Sequence, residues 1–582
     1  LSAALPWFGD KKQNKQNKNV GRGPMHTTRQ RLMTGISLGF SIALFSAAMG
    51  ASAAVAQSAP LSGTVSSSGD GPMEGVLVSA KKEGSTITTT VVSNEKGEYS
   101  FPAGRLEPGK YTISIRAGGY DLVGPKEVDV SAGGAKADVT LTKTKHLASQ
   151  LTNADWLMSA PGDDHIKSFL PDCTGCHTLQ RVFTAPHDAD EFQEIFKRMG
   201  RYSPGSTPLH PQPLLPGPRG ERPRVRADMA KAAAEYLVSV NLSNPDHEPY
   251  KLKIMPRPKG KATHVIITEY DLPRKDAQPH DVDVAKDGKV WYSDFGAQYA
   301  GYLDPKTGQT KEVEIPVLKP EQPKGSLEIE FDPKGNAWLA GMYQAGIYEI
   351  DAKTMKVKAY PFPKEWQSPS TQASMVSPQH SDADGKVWTN NQEQHYNYRL
   401  DVATGKFEDL GAAKDAKGQQ ISAYGMPTDK DNNLYLLEFG KTNIGVRDAK
   451  TLKTTIWKTP VGHSRPRRGR VDDQGRLWFA EFGGNGIGMF DPKTQKIKEW
   501  KLPIAWSDPY DVGAAKDGSV WTGSMLTDRV TRLDPKTDEM TNYLLPRSTN
   551  IRRVSIDNSG PRAVLWVGSN HGASIVRVEP LD

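Results

Sequence analysis

From residue 291 onward an aromatic side chain returns at a nearly constant interval: Trp291, Trp338, Trp388, Tyr435, Trp478, Trp521 and Trp566. Successive differences between those numbers are 47, 50, 47, 43, 43 and 45. A period in the forties is that of a four-stranded propeller blade. Most of these aromatics follow a turn holding Asp with Gly or Asn, and most are followed by an Asp-Pro-Lys-Thr-like turn, as in Asp287-Gly288-Lys289-Val290-Trp291 and then Asp304-Pro305-Lys306-Thr307-Gly308. Seven anchors predict seven blades over residues 250–582. The last blade runs out of chain one strand short. The segment His264 to Leu272 is expected to supply that outer strand and so close the ring, because closure removes exposed sheet edges.

At 582 residues the chain is too long for one ordinary core. A hydrophobic share of 37% with 54 Gly and 42 Pro suits many short strands joined by turns. Residues 60–144 carry period-two runs such as Val76-Leu77-Val78-Ser79-Ala80 and Tyr111-Thr112-Ile113-Ser114-Ile115, which predict a small antiparallel β-sandwich. Within it, Gly97-Glu98-Tyr99-Ser100-Phe101, Pro108-Gly109-Lys110-Tyr111 and Gly118-Gly119-Tyr120 resemble carboxypeptidase regulatory-like domains. That resemblance implies a non-catalytic module.

The formal charge of +7 is concentrated at the start. Residues 1–56 hold seven Lys/Arg and one acid, a net of +6, which leaves +1 for the rest. A near-neutral body has no field to draw it onto nucleic acid. Met25, the basic Arg29 and Arg31, an uncharged stretch from Leu32 and the small-residue site Ala54-Val55-Ala56 read as a secretory signal peptide. The remainder is therefore expected to be periplasmic, with no membrane span once the signal is cleaved.

Residues 145–245 change character. Asp188–Met199 and Ala227–Val240 have helical periodicity, with a Pro-rich loop, Ser203–Arg224, between them. Ahead of them stands Cys173-Thr174-Gly175-Cys176-His177, which holds both cysteines of the chain. Two thiols three positions apart can each bond a haem vinyl group, and the next imidazole can ligate the iron. A redox dithiol does not need the His, and a zinc site would want further cysteines. The reading is one covalent haem c held by Cys173, Cys176 and His177, in a region that resembles a small cytochrome c. Met199 is the expected sixth ligand, with His210 in the Pro-rich loop as the alternative.

In a propeller the first strand of each blade delivers residues to the central channel. Eleven positions before the anchors stand His280, Leu327, Tyr424, Arg467 and Tyr510, with His380 and Arg552 offered by the third and seventh blades. Such a ring suggests a pocket for a polar or anionic ligand. Pro279-His280-Asp281-Val282 and Leu477-Trp478-Phe479-Ala480-Glu481-Phe482-Gly483-Gly484-Asn485-Gly486-Ile487-Gly488 resemble repeats of virginiamycin B (streptogramin) lyases. The resemblance covers residues 260–582. It implies a seven-bladed propeller that opens a cyclic ester by elimination, with His280 as base and Glu481 among the acidic residues holding a Mg²⁺. Elimination is redox-neutral and has no use for a haem. The sequence therefore favours a mainly β, multidomain electron-transfer protein: sandwich at 60–144, cytochrome c-like helical domain at 145–245, and propeller at 250–582. The propeller would bind a small-molecule substrate or a periplasmic redox partner. A lyase with an accessory haem, or a non-catalytic recognition protein, is the alternative.

Overall fold

The turns that punctuate the repeat explain how its strands reverse. Asp304, Asp351, Asp401, Asp448 and Asp491 each accept at the main-chain oxygen from the residue four positions on, at 2.7–3.0 Å. Their carboxylates cap the turn from inside, as in Lys306 N to Asp304 at 2.9 Å and Lys493 N to Asp491 at 2.9 Å. The fifth residue then takes a positive φ: 71° at Gly308, 69° at Gly405, 58° at Leu452 and 57° at Gln495.

The computed structural model describes residues 60–215, 225–244 and 250–582. The expected signal segment at 1–56 lies outside the described residues, as does part of the Pro-rich loop. The described chain is mainly β. Five four-stranded antiparallel sheets follow the repeat, the first made of Pro279–Val284, Val290–Asp294, Tyr299–Leu303 and Thr310–Glu314. The fourth blade is irregular: three strands (Leu434–Leu437, Asn443–Arg447, Thr454–Lys458) form its ladder, and its inner segment makes only isolated bridges, Gly425 to Leu437 and Thr428 to Leu434. Each Trp anchor is at most 2% exposed, packed between neighbouring sheets. Inner strands pack around a ring, with Pro279–Val284 touching both Ile329–Phe331 and Val554–Asp557.

The closing strand is where the repeat put it. Val265–Asp271 pairs antiparallel with Ser574–Pro580 through seven residue pairs. Its other edge pairs with Ile87–Val92 of the sandwich, so one eight-stranded sheet runs from the seventh blade into the N-terminal module. The sandwich differs from the antiparallel expectation. Leu61–Ser67 runs parallel to Val139–Lys143 and to Ala135–Lys136, because the chain returns beside its first strand by a crossover that hairpin-by-hairpin reading does not reveal.

Among the described residues six short α-helices lie between sandwich and propeller: α1 (Asn153–Ser159), α2 (Asp164–Lys167), α3 (Leu170–Cys173), α4 (Leu179–Phe183), α5 (Ala189–Gly200) and α6 (Ala230–Ser239). The α5 start is set by Asp188, whose carboxylate accepts from Glu191 N while Glu191 reaches back to Asp188 N. α6 begins three residues later than periodicity indicated. α1–α4 are too short to show a period. Trp156 and Phe183 stack at 5.1 Å in their core, which is continuous with Phe482, Tyr510, Met525 and Leu526 of the propeller. The helical region thus sits over the channel mouth. Gln212 and Gln278 tie it down through Gly296 O at 3.0 Å and Gly205 O at 2.9 Å.

Candidate functional site

Two groups of side chains meet at that mouth. The first belongs to the helical region. Cys173 ends α3, Cys176 and His177 follow in the turn before α4, and Met199 lies in the last turn of α5. All four line one cavity of about 320 Å³. Its walls include Val182, Phe192, Ile195, Phe196, Val225 and Leu237, with Arg181 and Arg198 also on the lining. His177 Nδ1 donates to Thr178 O at 3.1 Å, and burial lowers the basicity of its ring. His210 is exposed and does not line the cavity. These are the residues that could hold a prosthetic group.

The second group is the inner ring of the propeller. In the first, fifth and sixth blades the register slips after the proline, between Pro279 and Val282, Pro466 and Gly469, and Pro509 and Val512. Such a bulge re-aims side chains, and here two consecutive residues from each strand reach buried positions. The layer nearer the helices holds His280, Tyr424, Arg467, Tyr510 and Arg552. The next layer holds Asp281, Arg468 and Arg553 with Glu328 and Glu330.

The inner layer is an ion network. Arg468 grips Asp281 at 2.8 and 2.7 Å and Glu328 at 2.6 Å. Arg553 reaches Glu328 at 3.0 Å and also pairs with Glu330, which receives Arg470 at 2.9 Å. Burial alone would raise the Asp281 carboxyl, but Arg468, His280 and Arg553 hold it well below the usual range.

The outer layer is a directed hydrogen-bond chain. His280 Nδ1 donates to Asp281 at 2.6 Å, which leaves Nε2 to accept from the Tyr510 hydroxyl at 3.3 Å. Tyr424 in turn bonds the Tyr510 oxygen. Burial pushes the His280 pKa down to about 3 despite Asp281, so the ring is neutral.

The two groups touch. Asn550 Nδ2 donates to Thr174 O at 3.2 Å, and Arg552 Nη2 and His571 Nε2 each donate to Gly175 O at 3.3 Å. The two residues between the cysteines are therefore held by the propeller.

Glu481 does not join His280. It is 1% exposed and bonded to Glu499 on the outer strand of its own blade, and burial together with that carboxylate pushes its pKa up to about 9. Among the described residues no group of three or more His, Cys, Asp or Glu is arranged to hold a metal ion. The Mg²⁺ site implied by resemblance does not fit these residues, since the channel carboxylates are already matched by arginines.

Comparison with known proteins bears on the strands, not on the helices. Residues 411–581 match the virginiamycin B lyase family. Residues 60–142 match the carboxypeptidase regulatory-like domain. Similar solved structures include a streptogramin B lyase, with 20% identity over 55% of this chain and 99% of that one and a TM-score of 0.47. The selenomethionine-substituted virginiamycin B lyase from Staphylococcus aureus is alike at 20% identity over 54% of this chain and 99% of that one, with a TM-score of 0.46. No curated protein matches the chain.

Proposed function

We propose that this chain is an exported, periplasmic haem c protein that transfers electrons, with a lyase-like propeller that binds a small-molecule substrate or a redox partner protein. The observation that carries the reading is the convergence of Cys173, Cys176, His177 and Met199 on one largely apolar cavity. The two thiols would tether the porphyrin, and His177 would ligate iron through Nε2, because its Nδ1 is committed to Thr178 O. Met199, on the cavity wall, would be a second protein ligand to the iron in preference to the exposed His210. Arg181 and Arg198 are suited to pair the haem propionates. A haem held there supplies a one-electron couple, which a thioether ligand shifts to higher potential. Asn550, Arg552 and His571 fix the tethering loop from the propeller side, so a group bound in the channel would sit beside it.

The test is retention of haem after denaturation and acidic acetone extraction of the exported protein. Retention in the parent chain and loss in Cys173→Ser/Cys176→Ser support the proposal; haem that extracts from both contradicts it.

The family match over 411–581 favours a second reading, a lyase with an accessory haem. A neutral His280 could accept a proton, but its Nε2 already accepts from Tyr510. Cyclic-ester opening that needs Mg²⁺ and disappears in His280→Ala would support this reading. Its absence would count against this reading.

A further inference from the structure

The two layers of the channel treat arginine in opposite ways. Arg468 and Arg553 are saturated with carboxylates. Arg467 is 9% exposed, and among the described residues no Asp or Glu forms a close ion pair with it; the buried Asp508 acts on it only from farther off. Its guanidinium lies 3.7 Å from the Tyr510 ring centre, 4.4 Å from those of Phe439 and Phe482, and 5.4 Å from that of Tyr424. Nη1 meets only the Met525 sulfur at 3.5 Å, and Nε has no hydrogen-bond partner. Arg552, 5.4 Å from the Tyr510 ring centre, and Arg465, 4.3 Å from that of Phe439, likewise have no close ion-pair partner among the described residues; Asp172 and Asp508 act on Arg465 only from farther off. Burying a guanidinium is costly unless an anion answers it, and ring faces return only part of that cost.

A cavity of about 430 Å³ opens beside this box. Tyr424 and Phe439 are walls of both. The rest of its lining is polar: Gln392 and Gln420 offer hydrogen bonds, Ser422 Oγ is bonded to His395 Nδ1 at 2.5 Å, and Lys441 also lines it. Glu438 also lines it, but that carboxylate is answered by Ser422 N at 3.2 Å, Asn443 Nδ2 at 2.5 Å and Lys441 at 3.3 Å.

We propose that this cavity binds a small organic carboxylate with a planar, apolar body, and that Arg467 holds its carboxylate once the half-buried Phe439 ring turns aside. The body packs on Tyr424 and Phe439, and polar substituents meet Gln392 and Gln420. The inference does not depend on the haem reading.

Calorimetric titration of the purified full-length protein with benzoate, and with benzamide as its neutral counterpart, tests it. One saturable benzoate site per chain is expected, with benzamide at least tenfold weaker. Arg467→Gln should weaken benzoate at least tenfold and leave benzamide unchanged. Ser422→Trp, which places a large ring on the cavity lining, should abolish both. Equal binding of the two probes, no saturable binding, or benzoate binding untouched by Ser422→Trp would overturn the proposal. Benzoate binding only in the haem-free Cys173→Ser/Cys176→Ser chain would also overturn it, by assigning Arg467 to a haem propionate.

Discussion

Arg467 and Arg468 are neighbours in sequence and opposites in environment, one among aromatic rings and the other among carboxylates. The bulge after Pro466 produces this, by turning both side chains inward at different depths. Glu481 shows the same sensitivity to depth. Its pKa is raised in the fold, so its contribution to stability is present at low pH and is lost as pH rises through the folded value of about 9. Thermal unfolding between pH 5 and 9 should show a decline in the parent chain that is shallower in Glu481→Gln; identical slopes would contradict the assignment. Gln495 carries the positive φ that Gly308 and Gly405 take at the same turn of other blades. Gln495→Gly should therefore stabilise by up to about 1 kcal/mol, measured by denaturant unfolding. The convergence of Cys173, Cys176, His177 and Met199 on one cavity was legible, the first three from their spacing and Met199 from its place at the end of the helix after them. The pairing of Glu481 with Glu499 was not, since only the register of the blade sets it.

At the scale of elements, repetition made the propeller readable. Seven anchors and the Asp-led turns set the blade count, and the missing last strand pointed to Val265–Asp271. The second partner of that strand escaped the reading, although the sequence carried a signal. Val265, Ile266 and Ile267 form an unbroken apolar run, whereas the outer strand Thr310–Glu314 is mostly polar. A strand buried on both faces and both edges gives that pattern. Thr268 pairs with both Arg577 and Thr89. Thr268→Pro should cost about 3 kcal/mol or more and loosen blade and sandwich together, seen as a lower unfolding midpoint and faster proteolysis in both. Cleavage confined to the sandwich would show that the shared sheet does not couple them.

Across the whole molecule, the sandwich, the helical region and the propeller are joined by ion pairs and hydrogen bonds. Arg116 pairs with Asp528 at 2.6 Å and Arg105 with Glu579 at 2.8 Å between sandwich and propeller, while Ala154 N donates to Leu526 O at 2.9 Å between helices and propeller. Residues 60–582 should accordingly unfold in one transition, and separate calorimetric peaks for helices and propeller would contradict that coupling. The same coupling sets the loop between Cys173 and Cys176 against the channel. The most direct measurement is the optical spectrum of the purified exported protein, oxidised and dithionite-reduced, with pyridine haemochrome analysis. One c-type haem per chain, with a sulfur-to-iron band in the oxidised form that Met199→Ala removes, is the expected result. A protein that is correctly exported and folded yet carries no covalent haem would contradict the electron-transfer account and leave the propeller to explain the function alone.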